Sequence, residues 1–265
     1  MSRLRRVAKG LINIRRFPEI FKCILITPQW GKMIAAYIGL WPLSYPFDFR
    51  TRSDQSIRLH TFHDLITVWI IFCREEYRVD PKSKVIVDVG ANIGAFSVYA
   101  CGKAPEAKVI AIEPFPDTIQ SFIFNIAANH LEDSVKLITK GLSAHGGERR
   151  MPVDPSIPSQ SLGLLPEDAE SGLTISTISL DTFWREEKLD KIDLLKMDIE
   201  GGEHEVLPIT SKELFSRIEN LTFEYHPNGS RHRMFELLRT MGFHLVYDLR
   251  NYENSGTAWF SRTVT

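Results

Sequence analysis

Val85-Ile86-Val87-Asp88-Val89-Gly90-Ala91-Asn92-Ile93-Gly94-Ala95-Phe96 begins as an apolar, β-branched run, breaks at a pair of glycines, and resumes as an apolar-periodic stretch. The run reads as a strand buried on both faces, and the residues from about Ala95 as a helix. Strand, glycine loop and helix in succession form the ligand-gripping turn of an open parallel sheet. In a pyrophosphate loop the pattern is G-x-G-x-x-G, whereas the three glycine positions here hold Gly90, Asn92 and Ala95. A carboxylate at the strand end, Asp88, repels a pyrophosphate and attracts a cation. Asp88, Gly90, Ala91, Asn92 and Gly94 are therefore expected to cradle S-adenosylmethionine, which carries a sulfonium and an ammonium but no phosphate. The glycines are expected to leave room for the ligand where a Cβ would collide.

A second apolar strand, Val109-Ile110-Ala111-Ile112, ends in Glu113-Pro114. An acid at the tip of the second strand is placed to accept ribose hydroxyls, so Glu113 and Pro114 join the expected cofactor site. The bland alternative is an acid opening the helix that follows Pro114.

A third dense stretch is Asp193-Leu194-Leu195-Lys196-Met197-Asp198-Ile199-Glu200-Gly201-Gly202-Glu203-His204. Ligands in such sheets bind beyond the carboxyl ends of the strands. Alternation along an extended chain puts Lys196, Asp198 and Glu200 on one side, next to the Gly90–Gly94 loop. Ionisable groups gathered at a strand end pair with one another, bind a ligand or do chemistry. The following strand, Leu221-Thr222-Phe223-Glu224-Tyr225-His226, closes with Glu224 and His226. A histidine near its ordinary pKa takes a proton from a hydroxyl at neutral pH.

With 265 residues and 43% hydrophobic content the chain can bury one large core or one core plus an appendage. A formal net charge of −1 argues against a general nucleic-acid binder. Cys23, Cys73 and Cys101 are odd in number and form no C-x-x-C pair. They read as reduced packing residues of a cytoplasmic protein. No apolar run reaches membrane-spanning length, since Lys22, Pro28, Gln29 and Lys32 interrupt the stretch from Phe21 to Leu40.

Residues 1–55 are expected to form a basic, helical N-terminal extension. Arg3, Arg5, Arg6, Lys9, Arg15, Arg16 and Lys22 stand against Glu19 alone, and Leu4, Val7, Leu11 and Ile14 recur at helical spacing. Such a helix suits a peripheral contact with an anionic membrane or a grip on an acidic partner, and the bland alternative is a cap on the core or a homodimer interface. The aromatics Trp41, Tyr45 and Phe47 among Pro42 and Pro46 read as an irregular connector. Ser56 to Phe62 alternates like an accessory strand, and Leu65 to Phe72 reads as a helix with Asp64 as N-cap.

From Lys84 onward strands are expected near 85–89, 108–112, 135–138, 193–197, 219–225, 243–248 and 257–261. Helices are expected near 95–103, 116–130, 179–187, 203–209 and 230–241. The alternation defines an α/β fold, a doubly wound and mostly parallel seven-stranded sheet occupying residues 56–265. The last two strands, with no helix between them, are expected to form a hairpin through Asn251–Gly256. Ser143 to Thr174 reads as a long loop with a short strand near Arg149–Val153, of the kind that serves as a lid or substrate element.

The chain resembles the FkbM family of S-adenosylmethionine-dependent methyltransferases. The resemblance runs from the Tyr77 region through Asp88-Val89-Gly90-Ala91-Asn92-Ile93-Gly94, Glu113-Pro114, Asn125 and Asn129. It continues through Gly141-Leu142-Ser143, Ile178-Ser179-Leu180-Asp181, Lys196 to Gly201 with Glu203, and Glu224-Tyr225-His226, covering roughly residues 56–262. It departs at Ala144-His145, where similar proteins often carry an acid. The resemblance implies a Rossmann-like fold, a cofactor contact at Leu142 and Ser143, and methyl transfer to a hydroxyl of a sugar, polyketide or lipid-linked glycan. His226 or Asp198 is then the expected base, with Lys196 and Glu224 beside it. A magnesium ion on Asp198 and Glu200 is an alternative way to acidify the acceptor. The rival readings are an NAD-dependent oxidoreductase and a non-catalytic cofactor-binding interaction module.

Overall fold

The computed structural model describes residues 17–151, 172–227, 229–252 and 255–263. The expected helix at residues 4–14 and most of the expected 143–174 loop lie outside the described residues.

The chain opens with helices α1 (Phe17–Ile26) and α2 (Trp30–Tyr37) and a hairpin of β1 (Phe47–Arg50) with β2 (Ser56–Leu59). Phe47 thus begins a strand rather than a connector, and the hairpin straddles the boundary expected at residue 55. Strand β2 stops at Leu59 because Thr61, in an extended conformation, caps α3 (Phe62–Val68). The Thr61 side chain accepts from the Asp64 amide, and the Asp64 carboxylate accepts from the Thr61 and His60 amides at 2.9 and 2.6 Å. Asp64 is therefore the third helical residue of a capping box, not the N-cap itself. Helix α3 runs into a π-turn over Trp69–Cys73.

A doubly wound unit follows: β3 (Val85–Val89), α4 (Ala95–Lys103), β4 (Lys108–Ile112), α5 (Pro116–Ala127) and β5 (Val135–Ile138). A three-stranded sheet is inserted next, from β6 (Gly141–Leu142), β7 (Gly147–Met151) and β8 (Leu173–Ile178). The short strand expected near 149–153 thus lies at 147–151. The remainder comprises α6 (Leu180–Glu186), β9 (Ile192–Met197), α7 (Glu203–Val206), α8 (Lys212–Arg217), β10 (Ile218–Tyr225), α9 (Arg231–Thr240), β11 (His244–Tyr252) and β12 (Ser255–Ser261). The sequence pattern did not announce α8, which is only six residues long.

The main sheet has seven strands in the order β11-β12-β10-β9-β3-β4-β5. Strands β10, β9, β3, β4 and β5 are mutually parallel, while β12 runs antiparallel to both neighbours. The connections reverse direction between β3 and β9, which creates the switch-point crevice where such sheets bind ligands. Both faces are covered, as the continuous apolar strands require. Ile86, Val109, Ala111 and Leu194 pack with α1 through α5, and Val87, Val89, Ile110 and Leu195 with α6, α8 and α9. Asn125 of α5 and Asn129 just past its end tie β2 into this body: each side-chain oxygen accepts a β2 amide, from Arg58 at 2.7 Å and from Ser56 at 2.8 Å.

Candidate active site

The carboxyl ends of β3, β4, β9 and β10 open onto one cavity at the switch point. Its walls include Gly90, Ala91, Asn92, Glu113, Pro114 and Leu142 at one end, and Tyr77, Lys196, Asp198, Glu200 and Glu224 at the other. Ile66, Ile70 and Ile71 of α3 and its π-turn, with Phe96, supply an apolar side. Residues expected from far-apart stretches are thus brought together, but Asp88, Gly94, Ser143 and His226 do not line the cavity.

Asp88 is fully buried behind the loop. Its carboxylate accepts from the Ser97 hydroxyl at 2.7 Å and pairs with Lys196 Nζ at 3.1 Å. The cation it faces is thus a lysine of the chain itself, which corrects the expectation that it attracts a cationic ligand. Burial lowers the Lys196 ammonium, but the charges of Asp88 and Asp198 outweigh it and raise the group above its ordinary value. Lys196 also donates to the Gly90 carbonyl at 2.8 Å and lies over the Tyr77 ring. It is the buried tie between β9 and the glycine loop.

The glycines serve protein packing. A Cβ on Gly90, whose φ is +72°, would lie 1.8 Å from the Asp198 carbonyl oxygen, and one on Gly94 would press on the Phe122 ring. Gly90 therefore lets β3 and the segment after β9 pass each other, where the sequence suggested room for a ligand.

Every amide of the loop is used within the fold. Gly90 and Ala91 donate to the Ile112 carbonyl at 3.0 and 3.1 Å, and Gly94 to the Ala91 carbonyl at 2.9 Å. Asn92 donates to Glu113 Oε2 at 2.8 Å, and Ile93 to the Asn92 side chain at 2.7 Å. A pyrophosphate loop needs such amides free and pointed at the anion. These amides are spent, so the loop does not fit a pyrophosphate.

Glu113 holds the Asn92 amide on one oxygen and the Phe115 amide on the other. The second bond is the helix-start role, and both roles are present at once. Burial pushes this carboxyl up to about 7 against the pull of those two amides. Each oxygen keeps a lone pair for a hydroxyl donor. With Ile112, Phe115 and Met151 as apolar neighbours, this end of the cavity fits an adenosine without phosphate. Leu142 joins that wall, while Ser143 is buried and bonds Thr177.

At the far end the chain departs from alternation. Strand β9 ends at Met197, and Glu200 takes φ +55° in the turn, an uncommon conformation for a glutamate. Lys196, Asp198 and Glu200 all line the cavity as expected, but Glu200 reaches it from the turn and not by strand alternation. Asp198 accepts from the Tyr77 hydroxyl at 3.2 Å and bonds the Glu224 carboxyl. Burial first, then the Asp198 charge, pushes Glu224 up to about 9, so it holds a proton at neutral pH. Burial also raises the Tyr77 hydroxyl well above its ordinary value, leaving it a donor.

Glu200 instead faces His226, with Nε2 and Oε2 3.4 Å apart, and Glu203 lies 3.9 Å from the other ring nitrogen. Burial lowers the imidazole, but its bond to Glu200 and the charge of Glu203 raise it above its ordinary value. His226 meets these acids outside the cavity wall, which corrects the view of it as a base facing the acceptor. Glu203, fully buried, accepts the Ile199 and Gly201 amides at 2.7 and 2.9 Å and so fixes the turn that aims Asp198 and Glu200. Among the described residues no group of three or more His, Cys, Asp or Glu side chains is arranged to hold a metal ion. The expected magnesium pair of Asp198 and Glu200 is divided between different partners.

Sequence reasoning passed over Glu76, a buried cavity residue held by Arg74 at 2.5 Å and by the Thr257 hydroxyl at 2.9 Å. It lies in the irregular stretch after the π-turn, where no periodicity marks an inward position. The α3 wall was legible only as a helix, and its orientation toward the site was not.

The sequence profile of the FkbM methyltransferase domain matches residues 88–245, more than half of the chain. Methyltransferase sdnD of Sordaria araneosa is 31% identical over 199 residues, spanning 63% of this chain and 76% of its own. Hexuronic acid methyltransferase AglP of Haloferax volcanii is 35% identical over 126 residues, spanning 48% and 49%. The 31-O-demethyl-FK506 methyltransferase FkbM of Streptomyces tacrolimicus is 28% identical over 193 residues, spanning 61% and 73%. The matched region contains the glycine loop, Glu113, the Lys196–Glu203 turn and Glu224-Tyr225-His226, the parts that build the cavity. The chain belongs to the FkbM family of methyltransferases.

Proposed function

We propose that this protein is an S-adenosylmethionine-dependent O-methyltransferase acting on a hydroxyl of a sugar, glycan or other secondary metabolite. The observation that carries the cofactor assignment is the glycine loop whose amides are all spent internally, beside a wall of carboxyl groups. That combination disfavours NAD and suits a cationic, phosphate-free nucleoside. The oxygen acceptor rests on the relatives, of which the FkbM protein is named for an O-linked position and AglP for a sugar acid.

When bound, S-adenosylmethionine supplies an electrophilic methyl group on a sulfonium. Glu113 would accept the ribose hydroxyls, and Ile112, Phe115, Leu142 and Met151 would enclose the base. Catalysis is then largely alignment of the acceptor oxygen in a water-poor crevice. Asp198 is the residue we assign to receive the acceptor proton. Tyr77 and Glu224 hold its carboxylate in place, and His226 positions Glu200 at the rim. Lys196 keeps the loop and β9 in register.

Incubation with methyl-labelled S-adenosylmethionine and a panel of glycosides and polyketide alcohols tests the reading. Label recovered as an O-methyl ether supports it. Label recovered exclusively on carbon or nitrogen overturns it.

A further inference from the structure

Beyond its nucleoside end the cavity has two walls of opposite chemistry. One is a face of α3 and its π-turn, along which His63, Ile66, Thr67 and Ile70 recur at helical spacing, with Ile71 and Phe96 completing it. The other is made of carboxyl groups: Glu76 beside Tyr77, Asp198 and Glu200 from the segment after β9, and Glu224 near the end of β10. An acceptor held between them meets hydrocarbon on one flank and hydrogen-bonding groups on the other, which suits the two sides of a sugar or polyketide ring.

The cations available to this end decide the charge of the acceptor. An acid is recognised by an arginine fork or a lysine ammonium. Among the described residues no arginine lines the cavity, and the lysines that do are Lys196 and Lys140. Lys196 is held by Asp88 at 3.1 Å and by the Gly90 carbonyl at 2.8 Å, while Lys140 adjoins Gly141 and Leu142 at the nucleoside end. Arg74 pairs with Glu76 without lining the cavity, and His63 is exposed at the start of α3.

Glu200 is fixed at the rim from three sides. Glu203 accepts the amides that flank it, from Ile199 at 2.7 Å and Gly201 at 2.9 Å, and His226 lies 3.4 Å from its carboxylate. Its φ of +55° is one that a glycine takes more readily, and such a conformation persists where the surroundings over-determine it. The result is a carboxylate presented to the cavity beside that of Asp198.

We infer that the acceptor is an uncharged alcohol with an apolar flank, and that Glu200 and Asp198 exclude acceptors carrying a carboxylate or phosphate beside the reacting hydroxyl. The inference rests on the O-methyltransferase reading above and narrows it. The cofactor escapes this exclusion, because its sulfonium and ammonium outnumber its single carboxylate. An acidic acceptor brings negative charge alone into a crevice that already holds it. That separates this chain's acceptor from the hexuronic acid for which AglP is named.

Matched pairs of glycosides and polyketide alcohols, each supplied as the carboxylic acid and as its primary amide, test this with methyl-labelled S-adenosylmethionine. The members of a pair differ little in shape, so their ratio of kcat/KM reports charge. The amide should be preferred by at least about tenfold at low ionic strength, and the preference should shrink as salt rises. Glu200→Gln should narrow the ratio by at least about threefold. A ratio cancels any general loss of activity in the variant, and the salt series on the unmodified protein decides the question if the variant fails to fold. Equal use of acid and amide, or preference for the acid, overturns the inference and leaves the methyltransferase reading standing. A preference for the amide that salt does not alter belongs to shape and overturns it equally. Label recovered exclusively on carbon or nitrogen overturns the underlying reading, and the inference with it.

Discussion

Replacing Lys196 with methionine should destabilise the protein severely while leaving its shape and volume nearly intact. The ammonium is nearly fully buried, 3.1 Å from a fully buried Asp88 and 2.8 Å from the Gly90 carbonyl. Methionine fills the same space but leaves Asp88 with Ser97 as its remaining polar partner. Removing one member of a buried pair costs about 3–5 kcal/mol, because the other is stranded as an uncompensated charge. Against a total stability of about 5–15 kcal/mol that is a large share. At roughly 2–4 °C per kcal/mol for a chain of this size, melting should fall by about 6–20 °C. Urea unfolding of Lys196→Met, Asp88→Asn and the double variant measures the coupling directly. The double variant should recover part of the loss, since it strands no charge. A loss below about 1 kcal/mol in Lys196→Met, or a double variant as unstable as the sum of the two singles, would refute the claim that this pair ties β9 to the loop.

Gly90→Ala should destabilise the cofactor-free protein, because the new Cβ meets the Asp198 carbonyl oxygen at 1.8 Å; an unchanged melting temperature would return Gly90 to a ligand-clearance role. Glu203, raised to about 7 by burial, binds its proton more tightly folded than unfolded, so its contribution is fully present below about 4.5 and is lost as pH rises toward 7. Glu203→Gln should flatten the fall in stability over that window, as denaturant midpoints at stepped pH would record. Asp198→Asn should reduce turnover by about 10²–10⁴-fold with cofactor affinity retained, whereas His226→Gln should lose far less; the reverse ranking would reinstate the histidine as base. Glu113→Ala should weaken S-adenosylmethionine binding by about 1–3 kcal/mol, and an unchanged dissociation constant would confine Glu113 to starting α5.

The fold was legible because burial on both faces of a parallel sheet leaves continuous apolar runs, and those at Val85, Val109 and Leu194 are unmistakable. The three stretches that meet at the switch point were legible for the same reason, since each charged knot sits just past such a run. What could not be read was the pairing within that crevice. Nothing local to Asp88 says that Lys196, from a strand more than one hundred residues later, neutralises it. Nor does His226 announce that Glu200 and Glu203 will converge on its ring and hold it outside the cavity wall. Glu200 does reach the cavity, but from a turn with a positive φ beyond the end of the strand, so alternation is not what places it. The N-cap at Thr61 was missed because Asp64 is equally suited by residue type, and backbone conformation alone separates the two.

Isothermal titration of the unmodified protein with S-adenosylmethionine, S-adenosylhomocysteine and NAD tests the central claim most directly. The spent loop amides and the carboxyl-rich wall require that both sulfur nucleosides bind and that NAD gives no measurable heat. NAD binding more tightly than S-adenosylmethionine would contradict the account.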